Sequence, residues 1–210
     1  MKSVWLGETD YRRALDLQLD HVARRADGTI GDTLLLLTHP HVYTLGRTGD
    51  AANLLVSESR LARDGISLER IARGGDITYH GPGQLVGYPI VHLPKPDLHR
   101  YLRALEAVLI EAMALFGVAC EREDGLTGVW AGGRKIASIG VGVKRWVTYH
   151  GFALNVSTDL AYFRKINLCG LTGREATSMA EILGNAPSME TVRDVVASAC
   201  CRHLAGFAAE

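Results

Sequence analysis

The chain has 210 residues, 47% of them hydrophobic and 22% charged, and its 23 Lys and Arg residues balance 23 Asp and Glu residues. The length predicts one domain spanning residues 1–210, and the zero net charge argues against a general nucleic-acid-binding protein. No apolar run approaches the length of a membrane span, the first ten residues lack the apolar core of a secretory signal, and the four cysteines form no CxxC pair. We therefore expect a protein of the reducing cytoplasm.

In chain order, apolar periodicity and capping residues predict helices at 11–26, 57–64, 97–116 and 187–207. Short apolar or alternating runs predict strands at 33–38, 41–45, 66–71, 85–91, 128–131, 135–143 and 146–156. We expect the last two strands to be joined by a turn at Lys144-Arg145. Because these elements lack a regular βαβ rhythm, they predict an α+β fold with a mostly antiparallel sheet covered by helices.

An unusual polar segment separates two of these strands. It reads Arg73-Gly74-Gly75-Asp76-Ile77-Thr78-Tyr79-His80-Gly81-Pro82-Gly83-Gln84. Its glycines allow the backbone to approach a ligand closely, and its side chains bring a guanidinium, a carboxylate, a hydroxyl, a phenol and an imidazole together. The segment predicts a binding loop; the alternative is a glycine-rich turn with ordinary surface polar groups.

Two further residues are candidates for chemistry. Cys169 precedes Gly170, so its sulfur would be approachable and nearby backbone N–H groups could meet an oxyanion. Lys135 opens a strand of small residues and could direct an ammonium group into a pocket. Taken singly, each has a plainer interpretation: a cysteine as a small buried apolar residue, and a lysine as a solvated side chain at a hairpin end. Cys120, Cys200 and Cys201 keep that plainer interpretation.

The histidines do not predict a metal site. His39-Pro40-His41 has no HExxH or Cys/His ligand spacing around it and no acidic cluster to complete it. His41, His80 and His150 are interpreted as hydrogen-bonding groups that line a site, or else as partly buried imidazoles with satisfied partners. No nucleotide-binding loop of the GxxxxGK[ST] type is present, and we expect no cofactor.

Taken together, these motifs resemble those of the lipoyl/octanoyl transferases. The resemblance runs in order through 39–47, 73–88, 133–140 and 149–155, and it ends at Cys169-Gly170. It implies the fold of the biotin/lipoate protein ligase catalytic domain, with a mixed sheet. It also implies transfer of an octanoyl group from octanoyl-acyl carrier protein to a lysine of lipoyl domains, which belong to 2-oxoacid dehydrogenases and the glycine cleavage H protein.

The resemblance also implies roles for individual residues. Cys169 would carry the acyl group as a thioester, and Lys135 would lower the pKa of its thiol, with or without acting as a proton acceptor. The implied substrate-binding residues are Arg73, Gly74, Gly75, Asp76, Ile77, Thr78, Tyr79, His80, Ser138, Ile139, Gly140, Gly151, Phe152 and Ala153.

Three alternatives to this activity are an ATP-dependent lipoate or biotin ligase of the same fold, a non-catalytic binding module and a cysteine hydrolase. A ligase activates a free acid as an adenylate and uses no cysteine nucleophile, so Cys169 favours transfer. Despite the zero net charge, a local basic rim could meet acidic partner proteins; the alternative is that its residues are scattered solvated cations. The candidate residues for this rim are Arg47, Arg134, Lys144, Arg145, Arg164 and Lys165.

Overall fold

The computed structural model describes residues 1–170 and 173–207, and of Cys169 it describes the backbone only. The helices are α1 (Tyr11–Ala26), α2 (Glu58–Arg63), α3 (Leu98–Ala114), α4 (Met179–Leu183) and α5 (Met189–Leu204). The strands are β1 (Lys2–Glu8), β2 (Thr33–Thr38), β3 (Val42–Leu45), β4 (Ser67–Arg70), β5 (Ile77–His80), β6 (Gln84–Ile90), β7 (Gly128–Ala131), β8 (Arg134–Lys144) and β9 (Val147–Asn155).

The larger of two sheets has six strands in the order β1-β2-β6-β9-β8-β7. β1 pairs with β2 in parallel, and the remaining neighbours are antiparallel. The β8–β9 register sets Ser138 opposite Ala153 and Gly140 opposite Gly151. The motifs 133–140 and 149–155 therefore become cross-strand neighbours in one hairpin.

The smaller sheet has three strands in the order β4-β3-β5. β3 is parallel to β4 and antiparallel to β5. This sheet packs around a second apolar cluster that includes Tyr43, Tyr79 and Phe163.

The main core lies between the large sheet and the helices α3 and α5. Strand β2 is buried on both of its faces. Leu34 and Leu36 join the main core, whereas Leu35 and Leu37 pack with Ala14 of α1 on the opposite face. A strand buried on both faces needs apolar residues at every position. The sheet is therefore covered by helices on both sides.

These findings confirm the α+β prediction with a mixed, mostly antiparallel sheet. The helix starts also agree with the sequence, since the side chains of Asp10, Ser57, Asp97 and Ser188 each accept a hydrogen bond from a first-turn backbone N–H group.

Three details of the sequence prediction are wrong. The segment 73–84 is not wholly a loop, because its centre forms β5. The β8–β9 turn is at Arg145-Trp146, where both residues have positive φ values of 53° and 57°, and not at Lys144-Arg145. The strand β1 and the short helix α4 were not expected. Among the described residues, no helix combines the length and apolarity that a membrane span requires.

Candidate active site

A cavity of about 450 Å³ lies between strands β8 and β9 and the segment 73–78. Backbone and side-chain contacts hold the two sides together: Gly74 N donates to Val141 O at 3.0 Å, and the hydroxyls of Thr78 and Ser138 are 3.5 Å apart. The sequence-predicted residues that line the cavity are Arg73, Gly74, Gly75, Asp76, Ile77, Thr78, His80, Lys135, Ser138, Ile139, Gly140, His150, Gly151, Phe152 and Ala153. The fold thus gathers three separate motifs around one cavity.

Two glycines of the cavity wall permit close packing. A Cβ atom at Gly140 would lie 3.0 Å from Gly74 O and 3.0 Å from Arg73 Cδ, so a side chain there would push the segment 73–78 outward. A Cβ atom at Gly151 would lie 2.3 Å from Gly87 O. Gly151 therefore allows contact with β6 and does not by itself leave room for a ligand.

The guanidinium of Arg73 is buried and hydrogen-bonded to protein. Its Nη2 donates to Thr44 O at 2.7 Å and to Thr44 Oγ1 at 2.8 Å, while Nη1 donates to Gly74 O at 3.0 Å. Burial lowers the pKa of Arg73. Arg73 thus ties the cavity wall to strand β3.

Asp76 joins this wall to the loop that carries Cys169. Asn53 Nδ2 donates to Asp76 Oδ2 at 2.5 Å, and Asn53 O accepts from Asn167 N at 2.8 Å. The side chains of Asn53 and Asn167 are also hydrogen-bonded, at 3.3 Å. Sequence analysis missed Asn53, which lies outside the motifs, six residues after the segment 39–47, and carries no signal of its own.

Lys135 is 7% exposed and is held on several sides. Its Nζ donates to Thr127 O at 3.2 Å and lies 5.0 Å from the centre of the Trp130 ring. Gly128, with φ of 142°, packs directly against it, since a Cβ atom there would lie 2.6 Å from Lys135 Cε. The ammonium group is therefore fixed at the cavity and does not extend into solvent.

The loop containing Cys169 begins and ends beside this lysine's cavity. Leu168 lines the cavity, and the turn Leu168–Gly170 is closed by Gly170 N donating to Asn167 O at 3.1 Å. Downstream, Lys135 N donates to Glu175 O and Thr177 N donates to Lys135 O, each at 2.9 Å. The side chain of Cys169 lies outside the described residues. Because the Gly170 N–H is used within the turn, it does not serve as the expected oxyanion donor in this conformation.

Two of the other cysteines have environments that disfavour the thiolate. Cys200 is fully buried in the main core, and burial raises the pKa of its thiol. Burial also raises the pKa of Cys120 to about 11. A buried thiol with a raised pKa is a poor nucleophile at neutral pH.

The sequence matches the family model for the lipoyl protein ligase A/B catalytic domain over residues 10–201. The chain belongs to this family. Curated relatives identify its branch, since octanoyltransferases of Solibacter usitatus and Geobacter metallireducens are 54% and 52% identical to it. The first alignment covers 89% of this chain and 85% of the relative, and the second covers 91% and 88%. The chain is accordingly an octanoyltransferase, which is an acyltransferase.

Solved structures show the same fold at lower identity. A putative lipoate protein ligase from T. acidophilum with bound lipoic acid superposes with a TM-score of 0.76 at 19% identity, covering 98% of this chain and 87% of that one. Lipoate-protein ligase A bound with ATP gives a TM-score of 0.78 at 18% identity, with 98% and 86% coverage. Biotin protein ligase from Aquifex aeolicus gives 0.58 at 14% identity, with 100% and 71% coverage. These likenesses confirm the predicted ligase-type fold.

In this family member, buried imidazoles lie beneath the cavity. His39 Nδ1 lies 2.6 Å from Thr9 O and its Nε2 lies 2.8 Å from Tyr88 Oη, so a neutral ring donates to the first and accepts from the second. Burial lowers the pKa of His39 to about 4, that of His150 to about 3, and that of His80 well below its usual value. These histidines are therefore neutral at pH 7, and they make the floor of the cavity polar without adding charge.

Two residues predicted to line the site lie elsewhere. Successive side chains of a strand point to opposite faces, so Thr78 and His80 of β5 face the cavity while Tyr79 does not. Tyr79 stacks on Tyr162 with ring centres 4.7 Å apart, and its hydroxyl lies 2.6 Å from His41 Nδ1. Tyr79 and His41 thus belong to the aromatic cluster behind β5, and their predicted contact with substrate is not supported by this placement.

The six candidate rim residues are not gathered at the cavity. Arg47 lines it, whereas Arg134 and Arg145 form ion pairs with Glu181 and Asp27. Lys165 contacts Asp64 and the ring of Tyr162. Within the described part of the chain, no group of three or more His, Cys, Asp or Glu side chains is placed to hold a metal ion.

Proposed function

We propose that this octanoyltransferase takes its acyl group from octanoyl-acyl carrier protein and transfers it to a specific lysine of lipoyl domains through a thioester on Cys169. The acceptors are lipoyl domains of 2-oxoacid dehydrogenases and the glycine cleavage H protein. The setting is the cytoplasm, within a single catalytic domain spanning residues 1–210.

One observation carries the proposal. The loop that holds Cys169 leaves the cavity wall at Leu168 and returns at Glu175–Thr177, which are hydrogen-bonded to the backbone of Lys135. A loop that leaves the wall of this cavity at one end and is hydrogen-bonded to Lys135 at the other supports a thiol that works next to a buried ammonium group. A positive charge close to a thiol favours its ionised, nucleophilic form.

The reaction then proceeds in two balanced half-steps. The Cys169 thiolate attacks the donor's thioester carbonyl, a new C–S bond forms, and the carrier's thiol leaves as a thiolate that takes up a proton. The amine of the acceptor lysine next attacks the enzyme thioester, the C–N bond forms, and the Cys169 thiolate is released while the amine loses a proton. Lys135 stabilises the thiolate in both half-steps.

The cavity provides a seat for the acyl chain. Apolar groups of Ile139 and Phe152 line it, and its volume of about 450 Å³ lies within the range of small-molecule sites. Ser138 and Thr78 supply hydroxyls near the same wall. We infer that the octanoyl tail lies along β8 and β9, with its carbonyl toward Lys135.

Intact mass spectrometry after mixing the full chain with octanoyl-acyl carrier protein tests the proposal. We expect one octanoyl adduct, mapped to Cys169 by peptide mass spectrometry and discharged by a lipoyl domain. Cys169→Ala should lack the adduct and the transfer activity, whereas the matched control Cys201→Ser, at a partly exposed cysteine, should keep both.

Other outcomes would each contradict a part of the proposal. Modification of the lipoyl domain with ATP and free octanoate, without carrier protein, would indicate a ligase. Release of free octanoate in place of amide would indicate a hydrolase. Full transfer by Cys169→Ala would exclude the thioester on that residue.

A further inference from the structure

Glu106 of helix α3 is a buried carboxylate that the proposed mechanism does not use. Its side chain is 1% exposed, and its Oε2 accepts from Arg103 Nη1 at 2.7 Å and from Arg122 Nε at 3.0 Å. Two arginines compensate the cost of burying the charge. The second oxygen, Oε1, accepts from Gly128 N at 3.3 Å.

This second contact leads to Lys135. Gly128 is the residue that packs against the lysine side chain, and the carbonyl of the preceding Thr127 accepts the hydrogen bond from Lys135 Nζ at 3.2 Å. The peptide between Thr127 and Gly128 thus donates its N–H to Glu106 and offers its carbonyl to Lys135. A carboxylate anchored by two arginines holds one side of that peptide, and the other side holds the ammonium group.

We propose that Glu106 is a positioning residue for Lys135, acting through the Thr127–Gly128 peptide; this inference rests on the proposed function. Glu106 fixes where the ammonium group lies relative to Cys169, and it touches neither the substrate nor the sulfur. Loss of the Glu106 carboxylate frees the peptide to shift, and the ammonium group shifts with it. Misplacement of a catalytic group by about 1 Å from a distant change can cost ~100-fold in rate.

Asp32 offers a matched control on another part of the sheet. Its side chain is 8% exposed, and its Oδ1 accepts from Arg25 Nε at 2.6 Å and from the backbone N of His92 at 3.2 Å. It therefore has the same kind of contacts as Glu106, a guanidinium and a backbone N–H, without a connection to Lys135. Asp32→Ala and Glu106→Ala should both lower stability.

The test measures alkylation of Cys169 by iodoacetamide as a function of pH in the full chain, with peptide mass spectrometry to assign the site. Glu106→Ala should move the midpoint of the alkylation profile to higher pH, in the same direction as Lys135→Ala. It should also lower kcat for octanoyl transfer by about 10- to 100-fold with little change in KM for the donor. Asp32→Ala should keep the wild-type midpoint and kcat at a temperature where it is folded.

Glu106→Gln serves as the conservative variant, because its amide oxygen can still accept from Gly128 N. We expect its alkylation midpoint to lie between those of the wild type and Glu106→Ala. If Glu106→Ala does not fold, the midpoint of Glu106→Gln alone tests the inference. A wild-type midpoint in the Glu106 variants, or an equal shift in Asp32→Ala, overturns the inference. If Lys135→Ala shifts the midpoint and the Glu106 variants do not, only this inference fails; if Lys135→Ala causes no shift, the proposed role of Lys135 fails as well.

Discussion

At the scale of single residues, charged groups around the cavity are largely bound by the protein itself. Arg73 is hydrogen-bonded to Thr44, and Asp76 is hydrogen-bonded to Asn53. Such groups fix the shape of the cavity wall, and they are distinct from Lys135 and Cys169, for which we propose the chemistry. A binding motif in the sequence therefore includes residues that build the site as well as residues that face the ligand.

Gly128 gives a prediction at this scale. Its φ of 142° is unfavourable for any residue with a side chain, and a Cβ atom would lie 2.6 Å from Lys135 Cε and 2.8 Å from Ala137 O. We expect Gly128→Ala to displace the lysine and to lower kcat by about 10- to 100-fold. Steady-state kinetics would measure this. Gly31→Ala is the control, because nothing lies within 4 Å of its added Cβ atom, and comparable losses in both variants would contradict the argument.

At the scale of elements, the site depends on two loop segments, 53–55 and 165–167, that are hydrogen-bonded to each other. Leu55 N donates to Lys165 O at 2.8 Å, and Asn167 N donates to Asn53 O at 2.8 Å, so the segment 53–55 supports the approach to Cys169. The close approach of Gly170 to Asp76 completes this arrangement, since a Cβ atom at Gly170 would lie 2.6 Å from Asp76 Oδ2.

Asn53→Ala should loosen the Cys169 loop. The change removes side-chain hydrogen bonds to the half-buried Asp76 and Asn167, and such a hydrogen bond contributes about 0.5–1.5 kcal/mol. We expect a lower free energy of unfolding together with a clear fall in the rate of Cys169 acylation, followed by mass spectrometry. Asp159→Ala, which removes the exposed cap contact to Ala161 N, should leave the acylation rate unchanged. Wild-type acylation in Asn53→Ala would show that the loop keeps its position without this side chain.

At the scale of the whole molecule, buried neutral histidines make stability depend on pH. Burial lowers the pKa of His39 to about 4 and that of His150 to about 3, from a usual value of 6.5. Below pH 6.5 the unfolded chain takes up protons that the folded chain does not bind. Stability is therefore full above pH 6.5 and is lost progressively as the pH falls toward 4 and then 3.

Urea unfolding between pH 7.5 and 4.5 would measure this dependence. We expect the free energy of unfolding to decrease on acidification by about 1.4 kcal/mol per pH unit for each such histidine, within the window below its unfolded pKa. His39→Gln removes one of these groups and should give a shallower slope. An unchanged slope in that variant would mean that His39 does not contribute to the dependence.

The surface gives one prediction about partners. Arg47 is exposed and lines the cavity, so it is placed where the carrier protein of the proposed reaction would approach if that protein is acidic. Arg47→Glu should raise KM for octanoyl-acyl carrier protein, more strongly at low salt, because surface charges are screened by ions. Arg145→Glu, at the β8–β9 turn and paired with Asp27, is the control, and an equal effect in both variants would contradict a local role for Arg47.

Local patterns determined much of the fold and the identity of the motifs. The sequence shows the caps of α1, α3 and α5 and the leucine run of β2, because capping and periodicity act over short distances. The Cys169-Gly170, Lys135 and Arg73–His80 motifs were singled out together by their resemblance to one family. The turn at Arg145-Trp146 was missed because neither residue favours a positive φ, so the register of β8 and β9 decides it.

Only the tertiary structure could show how those motifs are held. The contacts of Glu106 with Gly128, of Asn53 with Asp76 and Asn167, and of the segment 175–177 with Lys135 join residues that are 22 or more positions apart in the chain. No local preference encodes such pairs, because each depends on where the sheet places two distant backbones. The sequence by itself, through the resemblance of several motifs to one family, predicted which residues carry the chemistry. The pairing of β7 with β8, the contact of Glu106 with Gly128 and the return of the segment 175–177 determined where Lys135 lies.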